Sequence, residues 1–252
     1  MNSANGRRRC KRLAFVGLAT VVFASATMAQ DGSPQGPAIQ NCPTPVDHAA
    51  IRSNMIKLNL LQVEAEPAYL VVGDSIVEAA MLEPICGMTP VNAGIGGGTA
   101  QTLSDYVGGW SSRKFKAIVI ALGVNNAIRR PQYDIGGFQR AYEAIIKLAA
   151  PGAAVFVADV MPVEKGMALG DAYFDNDVIG ELNTEIRALA DRYGATRIDL
   201  HDAFAQPGDN SMRPGLTVDG AHLNAEGYRI WRHTIAQAVL GRLKCDPTVS
   251  AR

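Results

Sequence analysis

Short apolar segments alternate with helix-compatible segments five times along this chain. Buried strands of a parallel sheet are continuous apolar runs, and each parallel pair needs a crossover that is usually a helix. The alternation therefore predicts an α/β fold, a three-layer α/β/α sandwich around a five-stranded parallel sheet. The predicted strands are Ala68–Val72, Pro90–Asn92, Lys116–Leu122, Ala154–Val160 and Thr196–Leu200.

Six segments between and around these strands have helical patterns. In the first of them, Ile51, Met55, Leu58 and Leu61 recur at helical spacing. The predicted helices are Asp47–Gln62, Ile76–Leu82, Thr99–Val107, Asp134–Ala149, Asp177–Tyr193 and Asn224–Leu243. The segment from His201 to Gly220 is predicted to be a loop.

Residues 1–29 have the pattern of a secretory signal peptide. Basic residues end at Arg12, and an apolar run from Leu13 to Ala24 follows. This run is shorter than the roughly 20 apolar residues that span a membrane. We predict cleavage after Ala29, with Ala26 as the alternative, and export to the periplasm or the medium without a stable membrane anchor.

The predicted organisation is a signal peptide at residues 1–29, a flexible leader at 30–46 and one domain at 47–252. The full chain has 24 basic and 24 acidic residues, but the signal peptide contains basic residues and no acidic ones. The exported chain is therefore acidic, which argues against nucleic acid as a partner.

Three cysteines lie after the signal peptide, at Cys42, Cys86 and Cys245. Export implies an oxidising compartment, so we expect one disulfide, with all three pairings open. No Cys-x-x-Cys spacing is present, and the remaining histidines show no spacing typical of metal ligands. The sequence therefore predicts no metal site.

The first strand ends at Gly73-Asp74-Ser75, which places a hydroxyl at the carboxyl edge of the sheet, where parallel sheets bind ligands. A serine hydroxyl needs an adjacent base to become a nucleophile. His222 is the predicted base, and Asp219 is close enough in sequence to orient its Nδ1 through one tight turn. His201, which precedes Asp202, is the competing base.

Acyl transfer also needs hydrogen-bond donors directed at the oxyanion. The predicted donors are the backbone N–H of Ser75, the backbone of Gly94 and the side-chain amide of Asn125. Taken alone, Gly94 is more typical of a turn and Asn125 of an Asx-turn.

These motifs, in this order, resemble the SGNH hydrolase (GDSL esterase/lipase) family. The four residues that name the family match Ser75, Gly94, Asn125 and His222, and Asp219 matches the third member of its triad. The resemblance covers about residues 68–228. It implies a flavodoxin-like fold and hydrolysis of esters of lipids, acylated sugars or small acyl groups, without a metal or organic cofactor.

The leading hypothesis is an exported carboxylic-ester hydrolase that works through a Ser75 acyl-enzyme, with a small-molecule, glycan or lipid ester as its substrate. One alternative is a deacetylase of cell-surface polysaccharide, in which Tyr173 and Phe174 stack on sugar. The other is a non-catalytic carbohydrate-binding module on the same fold.

Overall fold

The computed structural model describes residues 47–63, 66–110, 115–129, 133–149 and 152–245. Its centre is one sheet of five parallel strands in the order β2-β1-β3-β4-β5. The strands are β1 (Ala68–Gly73), β2 (Thr89–Gly94), β3 (Ala117–Ala121), β4 (Ala154–Ala158) and β5 (Thr196–Ile198). The predicted α/β fold with five parallel strands is confirmed.

Seven α-helices surround the sheet in the described part of the chain, and a 3₁₀ turn at Val124–Ala127 follows β3. The helices are α1 (His48–Gln62), α2 (Ser75–Glu78), α3 (Ala100–Val107), α4 (Ile135–Ala149), α5 (Asn176–Tyr193), α6 (Leu200–Phe204) and α7 (Ala225–Leu243). Strand β1 lies between β2 and β3 and is buried along its whole length. The carboxyl ends of β1, β2 and β3 therefore meet at one edge.

Two of the helices differ from the prediction. Helix α2 is a single turn that ends at Glu78, because the side-chain amide of Asn92 donates hydrogen bonds to the carbonyls of Val77 and Ala80. Helix α6 lies at the start of the predicted loop, and the side chain of Asp199 caps it. That cap also ends β5 earlier than predicted.

The outer face of α1 is unusual for a surface helix. Ile51, Met55, Leu58 and Leu61, the residues with helical spacing, are half or more exposed, whereas Ile56 is fully buried against the core. The helix is confirmed, but this apolar stripe faces solvent.

A disulfide joins Cys86, which precedes β2, to Cys245, which follows α7. The structure thus selects one of the three pairings. Cys42, the signal peptide and the leader lie outside the described residues. No described helix is long and apolar enough to cross a membrane. In the same residues, no cluster of three or more His, Cys, Asp or Glu side chains could hold a metal ion.

Candidate active site

Ser75 is the first residue of α2, directly beyond the carboxyl end of β1. The turn that presents it requires Gly73, since a Cβ there would lie 2.2 Å from Val77 Cγ2 and 2.3 Å from the carbonyl oxygen of Ala121. The carboxylate of Asp74 caps α2 by accepting a hydrogen bond from the backbone N–H of Ile76. Close packing of β1, β3 and α2 thus fixes the position of the serine.

Asp74 is a buried carboxyl group. Burial raises its pKa to about 6, although hydrogen bonds from the backbone N–H groups of Ile76 and Gly123 and the nearby His222 act in the opposite direction. An acid with this pKa changes its charge between about pH 5 and pH 7.

The structure brings Ser75, His222 and Asp219 within hydrogen-bond distance. His222 Nε2 lies 2.9 Å from Ser75 Oγ, and His222 Nδ1 lies 2.7 Å from Asp219 Oδ2. The other carboxylate oxygen, Oδ1, accepts hydrogen bonds from the backbone N–H groups of Ala221 and His222. The carboxylate therefore orients both the imidazole and the turn that carries it.

The electrostatics of Asp219 suit an orienting anion. Burial raises its pKa, but the hydrogen bonds from the His222 backbone, the His222 ring and the Ala221 backbone outweigh that effect, so the pKa lies below its ordinary value. The group remains a carboxylate in the neutral range, which holds the proton of the imidazole on Nδ1 and leaves Nε2 to face Ser75.

The turn at residues 217–222 is hydrogen-bonded to the loop that contains Glu164. Buried Glu164 accepts hydrogen bonds from the backbone N–H groups of Leu216 and Thr217. Its own backbone N–H donates to the carbonyl of Gly220. At Gly220 a Cβ would meet the backbone of Gly170 at 2.6 Å, so the two loops pack backbone to backbone.

A cavity of about 190 Å³ opens beside Ser75. Its walls are mostly apolar, with Phe174 buried and Tyr173 at the open side, 44% exposed. The lining consists of Ser75, Ile76, Gly97, Val124, Asn125, Leu169, Tyr173, Phe174, Ala221 and His222.

Gly94, a predicted oxyanion donor, does not line this cavity. Its backbone N–H donates a hydrogen bond to Asn92 Oδ1, and a Cβ on it would lie 2.1 Å from the backbone nitrogen of Glu78. Gly94 is therefore a packing glycine, required where the end of β2 presses against α2.

Gly97 lines the cavity instead. It has a φ of +72°, and the position of its absent Cβ is open. Asn125 also lines the cavity, and its Nδ2 donates one hydrogen bond to the carbonyl of Gly98, which leaves its second amide N–H for a ligand. The signal that sequence reasoning missed is the run Gly96-Gly97-Gly98, in which only the middle residue has both a positive φ and a place at the cavity.

His201, the competing base, is not among the residues that line the cavity. It lies on α6, where its Nδ1 is 3.2 Å from Asp202 Oδ1. The side chain of Asp202 is exposed, whereas that of His201 is mostly covered.

The loop between β2 and α3, residues 95–99, is fastened to two helices. Glu78 accepts hydrogen bonds from the backbone N–H of Gly96 and from His48. Arg52 of α1 donates to the carbonyls of Gly94 and Asn92. These contacts hold the loop that presents Gly97.

Comparison with known proteins gives one family match and several similar structures. The GDSL-like lipase/acylhydrolase family model matches residues 71–230. A GDSL-like lipase from Bacteroides thetaiotaomicron has a TM-score of 0.62 at 20% identity, covering 77% of this chain and 99% of its own. A lipase/acylhydrolase from Enterococcus faecalis has a TM-score of 0.56 at 21% identity, with 72% and 98% covered.

The acetyl xylan esterase AlAXEase has a TM-score of 0.55 at 25% identity, covering 68% of this chain and 99% of its own. No curated protein matches. The matched segment contains all three residues of the hydrogen-bonded series Ser75, His222 and Asp219. It begins within β1 and ends within α7, so α1 lies outside it.

Proposed function

The chain belongs to the GDSL-like lipase/acylhydrolase family, and we propose that it hydrolyses carboxylic esters through an acyl-enzyme formed on Ser75. The observation that carries the proposal is the position of the His222 ring. One ring nitrogen is 2.9 Å from the serine hydroxyl and the other is 2.7 Å from Asp219. This series of three groups can remove and return a proton at a single hydroxyl.

In the first half-reaction, the hydroxyl proton of Ser75 passes to His222 Nε2 as Oγ bonds to the carbonyl carbon of the ester. Asp219 stabilises the imidazolium that results. When the tetrahedral intermediate collapses, His222 gives the proton to the leaving alkoxy oxygen, and the alcohol departs.

In the second half-reaction, water takes the place of the alcohol. His222 accepts a proton from the water as its oxygen bonds to the acyl carbon. It then returns that proton to Ser75 Oγ when the carboxylic acid is released. The same ring therefore acts as base and acid in both halves.

The negative charge on the tetrahedral oxygen needs donors that are already in place. We assign this role to the backbone N–H groups of Ser75 and Gly97 and to the free amide N–H of Asn125. Their place around one cavity supports the assignment. Loss of one such donor typically lowers kcat by about 10²- to 10³-fold.

The size and lining of the cavity favour a short acyl group. About 190 Å³ with walls such as Ile76, Val124 and Leu169 can hold a small apolar chain beside the serine. We therefore expect faster turnover of acetyl and butyryl esters than of long-chain esters.

Activity on p-nitrophenyl acetate tests the proposal. Ser75→Ala and His222→Ala should abolish the serine-dependent hydrolysis, and Ser75→Ala should also abolish labelling by a fluorophosphonate probe. His201→Ala is the matched control and should retain full activity. Full activity of Ser75→Ala would overturn the proposal, and a wild-type protein that neither hydrolyses the ester nor reacts with the probe would favour the carbohydrate-binding alternative.

Deacetylation of cell-surface polysaccharide is a second candidate, and the position of Tyr173 favours it. Its ring packs edge-on against Phe174 at the open side of the Ser75 cavity, with centroids 4.9 Å apart. A half-exposed aromatic ring at this place can stack on a sugar. Acetate release from acetylated glycan, compared with hydrolysis of long-chain lipid esters, separates this candidate from a lipase.

Export is part of the proposal. The basic-then-apolar pattern of residues 1–29 and the disulfide between Cys86 and Cys245 both support an oxidising destination. Mass spectrometry of the protein from the periplasm or the medium should find an amino terminus at Gln30 or, for the alternative site, at Thr27. An intact amino terminus in the cytoplasmic fraction would contradict export.

A further inference from the structure

A second cavity of about 220 Å³ adjoins the Ser75 cavity, and Asn125 lines both of them. Its side chains come from the start of α3, from the 3₁₀ turn after β3, from the start of α4 and from α5. They are Thr99, Gln101, Asn125, Asn126, Tyr133, Asp134, Phe138 and Leu182.

The two cavities differ in chemistry. The Ser75 cavity has mainly aliphatic and aromatic walls, whereas the second cavity has five side chains with an amide, a hydroxyl or a carboxylate beyond the shared Asn125. The lining also includes the buried apolar side chains of Phe138 and Leu182. A lining that combines polar and apolar groups matches a pyranose ring, which has hydroxyl groups at its edge and C–H groups on its faces.

The polar groups of this lining are held by the protein itself. Asn126 Oδ1 accepts a hydrogen bond from the backbone N–H of Ala100, and Asn126 Nδ2 donates to Gln101 Oε1. This leaves the Nε2 donors of Gln101 for a ligand. Asp134 Oδ1 accepts from the backbone N–H of Gly137, which leaves Oδ2 as an acceptor. Groups fixed in this way bind a ligand at a low entropic cost.

The charge of the second cavity favours a neutral alcohol over an anionic one. Among the described residues that line it, Asp134 is the only charged one. An acidic side chain, with no cation among the described lining residues, disfavours a phosphate-bearing alcohol such as a phospholipid headgroup, since a desolvated anion needs a paired charge. A neutral polyol meets no such penalty.

We infer that the second cavity binds the alcohol half of the substrate and that this alcohol is a neutral sugar. The inference rests on the proposed ester hydrolysis. The alkoxy oxygen stays beside His222, the short acyl group occupies the Ser75 cavity, and the ring extends past Asn125 toward Gln101 and Asp134. The substrate class is thus a short-chain acyl ester of a carbohydrate.

Three acetate esters test this inference. A singly acetylated methyl glucoside supplies a hydroxylated ring, cyclohexyl acetate supplies a ring without hydroxyl groups, and p-nitrophenyl acetate supplies an activated leaving group without hydroxyl groups. The wild-type protein should show a kcat/KM for the sugar ester that exceeds that for cyclohexyl acetate by at least about tenfold, the worth of one good hydrogen bond.

Two substitutions remove the ligand-directed groups and keep the internal contacts. Gln101→Glu retains the oxygen that accepts from Asn126 but replaces the donor amide, and Asp134→Ser retains a capping hydroxyl for α4. Each should lower kcat/KM for the sugar ester by about tenfold and leave p-nitrophenyl acetate and cyclohexyl acetate within about twofold of wild type. Gln206→Glu, the same change at an exposed residue that lines neither cavity, should alter none of the three.

The outcomes are distinguishable. A wild-type kcat/KM for the sugar ester no higher than that for cyclohexyl acetate would overturn the sugar subsite and leave the proposed hydrolase intact. An equal fall in kcat/KM on all three esters in the variants would do the same. Faster hydrolysis of an acetyl ester of glycerol 3-phosphate than of the sugar ester would overturn it in favour of an anionic alcohol. Failure of the Ser75 chemistry itself would show as p-nitrophenyl acetate hydrolysis that Ser75→Ala does not abolish.

Discussion

The carboxylate of Glu78 accepts a hydrogen bond from the backbone N–H of Gly96. This bond joins the helix that begins at Ser75 to the loop that carries Gly97, so the nucleophile and a proposed oxyanion donor are held by neighbouring residues. His48 and Arg52 of α1 lie against the same carboxylate, with Arg52 Nε 3.8 Å from Glu78 Oε1. The helix that precedes the family-matched segment therefore supports the loop.

Glu78→Gln should weaken this support, because a neutral acceptor makes a weaker hydrogen bond with the loop and loses the attraction of Arg52. We expect kcat on p-nitrophenyl acetate to fall by roughly 3- to 10-fold with KM little changed, since the loop serves the transition state more than the ground state. Glu226→Gln removes an exposed ion pair with Arg229 and should change neither parameter. A rise in KM alone would contradict the role of the loop.

Two alanine substitutions distinguish the proposed roles of Gly97 and Gly94. Gly97→Ala places a Cβ in open space at a positive φ, so it should cost only about 1 kcal/mol of stability but lower kcat by distorting the donor N–H. Gly94→Ala drives a Cβ into the backbone of Glu78 and should mainly destabilise the fold. Urea unfolding and kinetics on both variants check the assignment. A stable Gly94→Ala variant with low kcat would restore Gly94 as the donor.

The contrast between Gly94 and Gly97 shows which features of the site can be predicted from the sequence and which cannot. Alternation of apolar runs predicts the strands, and the strand ends predict that Ser75, Asn125 and His222 meet at one edge, because parallel strands share that edge. In the glycine-rich segment at residues 94–98, no sequence pattern predicts which glycine lines the cavity. Which glycine faces the cavity depends on how closely β2 packs against α2, and that distance is a property of the folded chain.

The pairing of the predicted disulfide and the two cavities could not be derived from the sequence, for the same reason. Cys86 and Cys245 are near each other only because α7 returns along the sheet to the segment before β2. The second cavity combines the starts of α3 and α4, the interior of α5 and a 3₁₀ turn. Helix α6 replaces part of a predicted loop because Asp199 supplies a cap. The catalytic roles of the site residues remain predictions that the variants above test.

Asp219→Asn should lower kcat by about 10²- to 10⁴-fold on p-nitrophenyl acetate. The amide can still accept the backbone hydrogen bonds of Ala221 and His222 through its oxygen, so the fold should persist. Its NH₂ group then faces Nδ1 and favours the tautomer with the proton on Nε2, which cannot accept from Ser75. Circular dichroism should match wild type. A kcat near that of the parent protein would remove Asp219 from the mechanism.

The buried Asp74 predicts a specific pH dependence of stability. Because its pKa is raised to about 6, the folded state binds this proton more tightly than the unfolded chain, in which aspartate titrates near 4. Stability from this group is fully present below about pH 4 and is lost as pH rises to about 6. Relative to its parent, Asp74→Asn should therefore gain up to about 3 kcal/mol in unfolding free energy between pH 4 and 7.

Asp209→Asn is the control of opposite sign. Asp209 is a partly buried carboxylate, and its hydrogen bond with Lys165 lowers its pKa, so its contribution is present at neutral pH and lost in acid. This variant should lose stability relative to its parent as pH rises from 3 to 5. Urea unfolding of the three proteins from about pH 3 to pH 7 measures both slopes. Parallel pH profiles for Asp74→Asn and its parent would contradict the buried titration.

The disulfide between Cys86 and Cys245 should stabilise the protein without serving the reaction. It closes a loop with a sequence separation of 159 residues, and such a crosslink restricts the unfolded chain by about 2–5 kcal/mol. Neither cysteine lines either cavity. Replacing both with serine should lower the urea midpoint and leave kcat at 25 °C unchanged. Dithiothreitol should destabilise the parent to the same degree and leave the double variant unaffected. Peptide mapping that pairs Cys42 with either residue, or a double variant that the reductant still destabilises, would show that a different bond holds the chain.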